Sequence, residues 1–279
     1  MQADGGKLPV VGAALLVEDL ERHHNWLIEG QRDLELQDFD VVGVLEDNAW
    51  QPIVEKAKRW LDGYEGRLGI HGPFRDVPLA CTDPSVRRVV DYRMNQALDI
   101  CEALGATHVV VHSPFTIWDY DSFDHFPGSR QRLVERVHLT MDSVVRRAEA
   151  MGCTFVIETI EDKDPRSWVE LARSFNSPAM ALSIDTGHTY YCHCSQGAPP
   201  IDYFIAAAGK ELQHMHIQDA DGHADRHWRP GKGTINWVAI FEALQLSGAN
   251  PRLIIELDTP NRHEVRTGAE WLIERGLAR

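Results

Sequence analysis

Basic residues are scarce in this chain: 28 Lys and Arg stand against 42 Asp and Glu, for a formal net charge of −14. A grip on nucleic acid needs a Lys/Arg surface that releases counterions from phosphates. No basic run supplies one, so nucleic acid is not an expected partner, whereas a small neutral substrate meets no such barrier. Long apolar runs are also missing, and none approaches the ~20 residues that cross a bilayer. The opening MQADGGKLPVVGAALLVEDL lacks the basic start and long apolar core of a secretory signal. Met1–Lys7 reads as a frayed terminus, and the cytoplasm is the expected location. Cys81, Cys101, Cys153, Cys192 and Cys194 are odd in number and scattered, which argues against a disulfide framework. Cys192-His193-Cys194 has neither the two-residue gap nor the second pair of a zinc knuckle, and a structural role is expected for it. There is no linker, low-complexity tract or strong repeat to divide the chain, so residues 1–279 read as a single domain.

What is present is an alternation. Short β-branched apolar runs fall at Val10–Leu16, Asp33–Gln37, Arg67–His71, His108–His112, Thr154–Glu158, Ala181–Asp185, Leu212–Ile217 and Leu253–Leu257. Amphipathic stretches such as Pro84–Leu104, Gln131–Met151, Arg166–Phe175 and Trp237–Ser247 lie between them. In the first of these, Val86, Val89, Val90, Met94, Ala97, Leu98 and Cys101 recur at helical spacing. Asp83-Pro84 supplies its cap and first-turn proline, and Gly105 its stop. Strand then helix, about eight times over, implies an α/β fold closed as a (β/α)8 TIM barrel. A doubly wound open sheet is the alternative, but no Gly-rich dinucleotide turn follows the first strand.

The strands end on polar residues. The third stops at His71-Gly-Pro-Phe74 and the fourth at His112-Ser-Pro-Phe115; the fifth ends at Glu158 and the sixth at Asp185-Thr-Gly-His188. The seventh carries His216 with Asp219 beyond it, inside the segment HMHIQDADGHADRHWRPGKG, and the eighth ends at Glu256-Leu-Asp258. In a barrel these C-terminal ends converge on one mouth. Singly, each residue has a plainer role: His71 or His112 as a hydrogen-bonded core histidine, Glu158 or Glu256 paired with an arginine, Asp185 capping a turn. Together, at one end of six strands, they point to a divalent metal site. Carboxylates with imidazoles and no cysteine suit Mn²⁺ or Zn²⁺, with Mg²⁺ or Fe²⁺ also compatible.

The segments VVVHSPF, FVIETIED, LSIDTGHTY, HMHIQDADG, DRHWRPGKGTINW and LIIELDTP resemble the xylose-isomerase-like TIM-barrel superfamily, which includes sugar isomerases and epimerases, inosose dehydratases and endonuclease IV. The isomerase and epimerase pattern implies that Glu158, Asp185, His216 and Glu256 hold one divalent ion and that His188 contacts substrate. The endonuclease IV pattern implies three ions held by these residues together with His71, His112, His188, Asp225 and His227; every one of those positions carries the matching residue type. On the first pattern a carbohydrate is converted by proton transfer through a metal-stabilised enediolate. Glu158 and Glu256 exchange the proton, with His188 assisting as the third catalytic residue. His71, His112, His188, Arg229 and Lys232 are then candidate substrate contacts, and the aromatic segment Trp118–Phe126 either walls the sugar from water or simply packs. The alternatives on the same residues are an AP endonuclease, a polyol or inosose dehydratase, and a metal-stabilised binding subunit. Against the nuclease stand the acidic balance and the acidic loop Asp38–Asn48. Homo-oligomers are common for barrels, though no helix is marked as the contact.

Overall fold

The computed structural model describes residues 8–279; the terminus Met1–Lys7 lies outside the described residues. Eight strands, β1 (Val11–Leu15), β2 (Leu34–Leu36), β3 (Leu68–His71), β4 (His108–His112), β5 (Thr154–Glu158), β6 (Met180–Asp185), β7 (Leu212–Ile217) and β8 (Arg252–Ile255), pair in sequence order. Every pairing is parallel, and β1 against β8 closes the sheet into a barrel.

Strand parity decides what faces the lumen. Leu34, Leu36, Val109, Val111, Phe155, Ile157, Leu182, Ile184, Met215, Ile217, Leu253 and Ile255 belong to the main apolar core between sheet and helices. Val110, Val156 and Ala181 form a separate cluster, as expected for residues on the opposite face of their strands. The same alternation turns Glu35, His71, His112, Glu158, Asp185 and His216 inward. At the N-terminal end the lumen is closed by polar contacts. Arg67 donates to both carboxylate oxygens of Asp33, at 2.7 and 2.5 Å, and buried Arg252 donates to the Thr107 hydroxyl. The ligand-type side chains are thereby concentrated at the other end.

The helices follow the cap signals. Asp83 accepts from the Ser85 N–H at 2.6 Å, Pro84 opens the helix Pro84–Leu104, and Gly105 ends it at φ 70°. Burial in that helix begins only at Val90, and Val86 and Val89 remain exposed, contrary to their expected core-facing role. The reason is length: a 21-residue helix runs about 31 Å, roughly twice the span of a five-residue strand, so its first turns overhang the sheet. Helices at Leu20–Gly30, Trp50–Trp60, Thr186–Gln196, Ile201–Ala208 and Val265–Glu274 complete the outer ring. Cys192, His193 and Cys194 all lie in Thr186–Gln196, where Cys192 is buried and the His193 ring is within 2.8 Å of the Ala198 carbonyl.

Trp168 joins helix to strand beneath the mouth. It is fully buried, and its indole N–H donates to the Ile157 carbonyl at 2.9 Å, one residue before Glu158. Trp168→Ala is expected to lower stability by about 3–5 kcal/mol through loss of buried area and the cavity left behind. Chemical denaturation of the variant checks this, and a loss below about 1 kcal/mol would show that the helix Pro165–Ser174 is not anchored through that ring.

Candidate metal centre

Glu158, Asp185, His216 and Glu256 offer ligand atoms that all lie within 4.8 Å of one another. Their elements explain the meeting: Asp185 and His216 are register partners across β6 and β7, Glu158 ends β5, and Glu256 stands just past β8. Exposure is 1, 0, 0 and 8%, respectively. Three carboxylates in so dry a space carry a large cost unless a cation compensates them. Part of the compensation comes from His216, whose Nδ1 is 2.8 Å from Glu158 Oε1 and 3.4 Å from Glu256 Oε2. Burial opposes ionisation of Glu158, but His216 and His71 outweigh it and hold the carboxyl well below its usual range. Asp185 is pushed up to about 6, first by burial and also by Glu158 and Glu256, with His188 opposing.

One atom tests whether a cation fits. Glu158 Oε2 is buried without a hydrogen-bond partner, while His71 Nε2 and His112 Nε2 stand 3.7 and 3.6 Å from it. Those separations are too long for hydrogen bonds and suit three ligands facing a common centre. The donor set of carboxylates and imidazoles therefore fits a divalent ion, at the four-residue group and again at His71, His112 and Glu158. Burial drives the His112 imidazole down to about 3, leaving its lone pair free, whereas His71 is raised to about 9 by Glu158, Glu35 and Glu256 against the burial that opposes it.

A further group combines His188, Asp225 and His227. Asp225 Oδ2 is 3.3 Å from His188 Nε2 and 3.0 Å from His227 Nε2. The loop that carries Asp225 and His227 is pinned from below by Gln218. Its amide donates to Asp185 Oδ1 at 3.1 Å and to Asp225 Oδ1 at 2.9 Å, and its carbonyl accepts from the His227 N–H at 2.8 Å. That last bond holds His227 in the left-handed region at φ 45°. Gly187 makes room for the amide, because a Cβ there would overlap the Gln218 side chain. Asp219 serves the loop rather than the ligand groups: its carboxylate accepts from the N–H groups of Ala220, Gly231 and Ile235 and from the Trp237 indole. Asp185, besides joining the ligand group, caps the following helix by accepting from the His188 N–H at 2.7 Å.

Two sequence candidates are engaged elsewhere. Arg229 pairs with Glu264 at 2.9 Å, and exposed Lys232 lies 5.8 Å from the centroid of a Trp228 ring. The aromatic segment is partly a helix, Ile117–Ser122, started by a Thr116/Asp119 capping box. Trp118 and Phe126 are exposed, while Tyr120 packs on Phe115 and Phe123 and donates to buried Asp162 at 3.0 Å. Sequence reasoning missed three residues. Glu35 contacts His216, Gln37 donates to Glu256 Oε1 at 2.5 Å, and Gln218 braces the loop. Their one trace in the sequence is the alternation Asp33-Leu-Glu-Leu-Gln37 and His214-Met-His-Ile-Gln218, which by itself does not tell a lumen from solvent.

The family model described as "Xylose isomerase-like TIM barrel" matches residues 33–275. An uncharacterized protein of Methanocaldococcus jannaschii is 24% identical over 206 residues, 70% of this chain and 66% of that protein. D-psicose 3-epimerase of Ruminiclostridium cellulolyticum is 26% identical over 194 residues, 67% of this chain and 61% of that enzyme. The chain thus spans less than two thirds of either relative. Among solved structures, a D-tagatose 3-epimerase-like protein superposes with a TM-score of 0.74 at 21% identity, covering 95% of this chain and 96% of that one. A Thermus thermophilus protein soaked with ZnCl2 gives 0.69 at 22% identity, with 95% and 98% covered. These two are likenesses of fold.

Asp162 gives the wall of the mouth a pH signature. It is buried and accepts from the Ser113 and Tyr120 hydroxyls and the Ile160 N–H, yet burial still pushes it up to about 7. The folded state therefore holds a proton that the unfolded chain has released, so this contribution is complete below about pH 4 and is lost as pH rises to about 7. Relative to Asp162→Asn, which does not titrate, the wild type is expected to lose up to about 4 kcal/mol of stability between pH 4 and pH 8. Denaturant midpoints of both proteins across that range measure it; parallel profiles would contradict the buried-acid account.

Proposed function

The chain belongs to the xylose isomerase-like TIM-barrel family, and from that premise we propose that it is a divalent-metal-dependent sugar epimerase or isomerase. The observation that carries the reading is the pair Glu158 and Glu256, which reach one buried ligand group from β5 and from the end of β8, with Asp185 and His216 completing it. An ion bound there, Mn²⁺ or Zn²⁺ by preference, supplies Lewis acidity that makes a C–H next to a sugar carbonyl more acidic. One glutamate removes that proton to give an enediolate and the other returns one. Return to the opposite face of the same carbon is epimerisation, the reaction named for the psicose and tagatose enzymes that this chain is similar to. Return to the neighbouring carbon is isomerisation, and loss of a hydroxyl instead gives the dehydratase outcome.

The remaining residues fit supporting roles. Asp185 and His216 anchor the ion, Gln37 orients Glu256 through its short hydrogen bond, and His188 at the rim donates to a substrate hydroxyl. A neutral carbohydrate suits the surroundings: Arg226 pairs with Asp221, Arg229 with Glu264 and Lys163 with Asp121, so these three cations are already matched. A second reading, a three-ion phosphodiesterase of the endonuclease IV kind, is favoured by one observation: three of the four ligand groups among the described residues are made up of the nine residues of that pattern. The acidic balance of the chain weighs against it, since a polyanion would be repelled at long range.

Incubation with a panel of ketoses in deuterated water is expected to place deuterium at the reacting carbon. Glu158→Gln or Glu256→Gln should each lower turnover by about 10²–10⁴-fold, as loss of an acid–base group does. Absence of exchange across the panel in the metal-loaded protein would sink the epimerase reading. Cleavage of an abasic-site oligonucleotide that disappears in His112→Ala would establish the phosphodiesterase in its place.

A further inference from the structure

Below the four-residue group the lumen holds a second, fully buried chain of polar contacts. His216 turns Nδ1 toward Glu158 and Glu256 and Nε2 toward Glu35, whose carboxylate oxygens lie 3.0 and 3.2 Å away. The other side of Glu35 meets His214, with Oε2 3.0 Å from its Nε2, and His214 Nδ1 is 2.8 Å from the Ser183 hydroxyl. Glu35, His214, His216 and Ser183 are all 2% exposed or less. Glu35 comes from β2 and His216 from β7, two strands that are not neighbours in the barrel, so the carboxylate crosses the lumen. It can do so because its register partner on β1 is Ala14, which leaves the space open.

An imidazole that binds a metal through one nitrogen needs an acceptor for the N–H on the other, and that acceptor decides which nitrogen faces the ion. Resting on the metal-site reading above, we propose that Glu35 is the positioning residue of the centre: it accepts the Nε2–H of His216 and so presents Nδ1 as the ligand atom. His214, on the same strand face two residues away, brings its Nε2 to 3.0 Å from the other carboxylate oxygen without hydrogen-bond alignment, with its Nδ1 satisfied by Ser183. Glu35 thus presents two acceptor oxygens to the His216 N–H, whereas a glutamine presents only one, because its amide nitrogen cannot accept. A residue that merely filled the lumen would tolerate that isosteric change.

The test compares Mn²⁺ binding, followed by EPR titration, in the wild type, Glu35→Gln and Asp185→Asn, with thermal melts in EDTA to compare the folded apo-proteins. The expected result is a 10–100-fold weaker affinity in Glu35→Gln at an unchanged melting temperature, the loss typical of a removed outer-shell partner. Wild-type affinity in a folded Glu35→Gln overturns the proposal alone. Undiminished binding in Asp185→Asn overturns the metal-site reading, and the proposal with it. A second measurement needs no variant: in the Zn²⁺-loaded wild type, long-range ¹H–¹⁵N spectra should show His216 protonated at Nε2 and bound through Nδ1. Coordination through Nε2 would refute the assignment even if Glu35→Gln does not fold.

Discussion

Glu158, Asp185 and Glu256 repel one another in a space from which water has been removed, and much of the mouth answers that repulsion. His216 sits among them with one nitrogen, Gln218 donates to Asp185, and Gln37 donates to Glu256. These partners reduce the burden without removing it, since Asp185 still rises toward neutrality and one oxygen of Glu158 has no donor. A cation at the centre is one that this donor set fits. On the proposed function stability and chemistry are opposed here: the groups that would be easiest to fold as neutral side chains are those that the proposed proton transfer requires charged.

The barrel supplies the rigid frame for this opposition by parity alone. Parallel strands in sequential register deliver every second side chain to one lumen, and the polar contacts of Arg67, Asp33 and Arg252 occupy the far end. Trp168 and the Asp162 clasp then secure the edges of β5 and its loop, so that Glu158 is held both from the helix layer and from the rim.

Much of this was legible in the sequence. Apolar runs ending in His, Glu or Asp placed six strand ends at the mouth, and an Asp-Pro start with a Gly stop marked the helix Pro84–Leu104, as Gly152 marked the end of the next long one. What escaped was information that depends on closure. Leu34-Glu35-Leu36 reads as an ordinary half-exposed strand, because alternation in an open sheet puts the polar residue in water. In a closed barrel the same alternation puts it in the lumen, and nothing local distinguishes the two. Arg229 was attractive for its place in a ligand-rich loop, but its partner Glu264 lies 35 residues onward, beyond the reach of spacing arguments. Val86 and Val89 match the helical period yet lie exposed, since periodicity identifies a face without saying how far the sheet beneath it extends.

Gly187 carries no side chain, and that absence is what the brace beneath the centre needs. Any side chain there would displace the Gln218 amide, releasing Asp185 and the 225–227 backbone at one stroke. The cost of that displacement is set by the four hydrogen bonds the buried Gln218 amide makes, whereas Trp118 at the rim is exposed. The missing Cβ of one glycine thus couples Asp185 to the loop of Asp225 and His227 through a single buried amide.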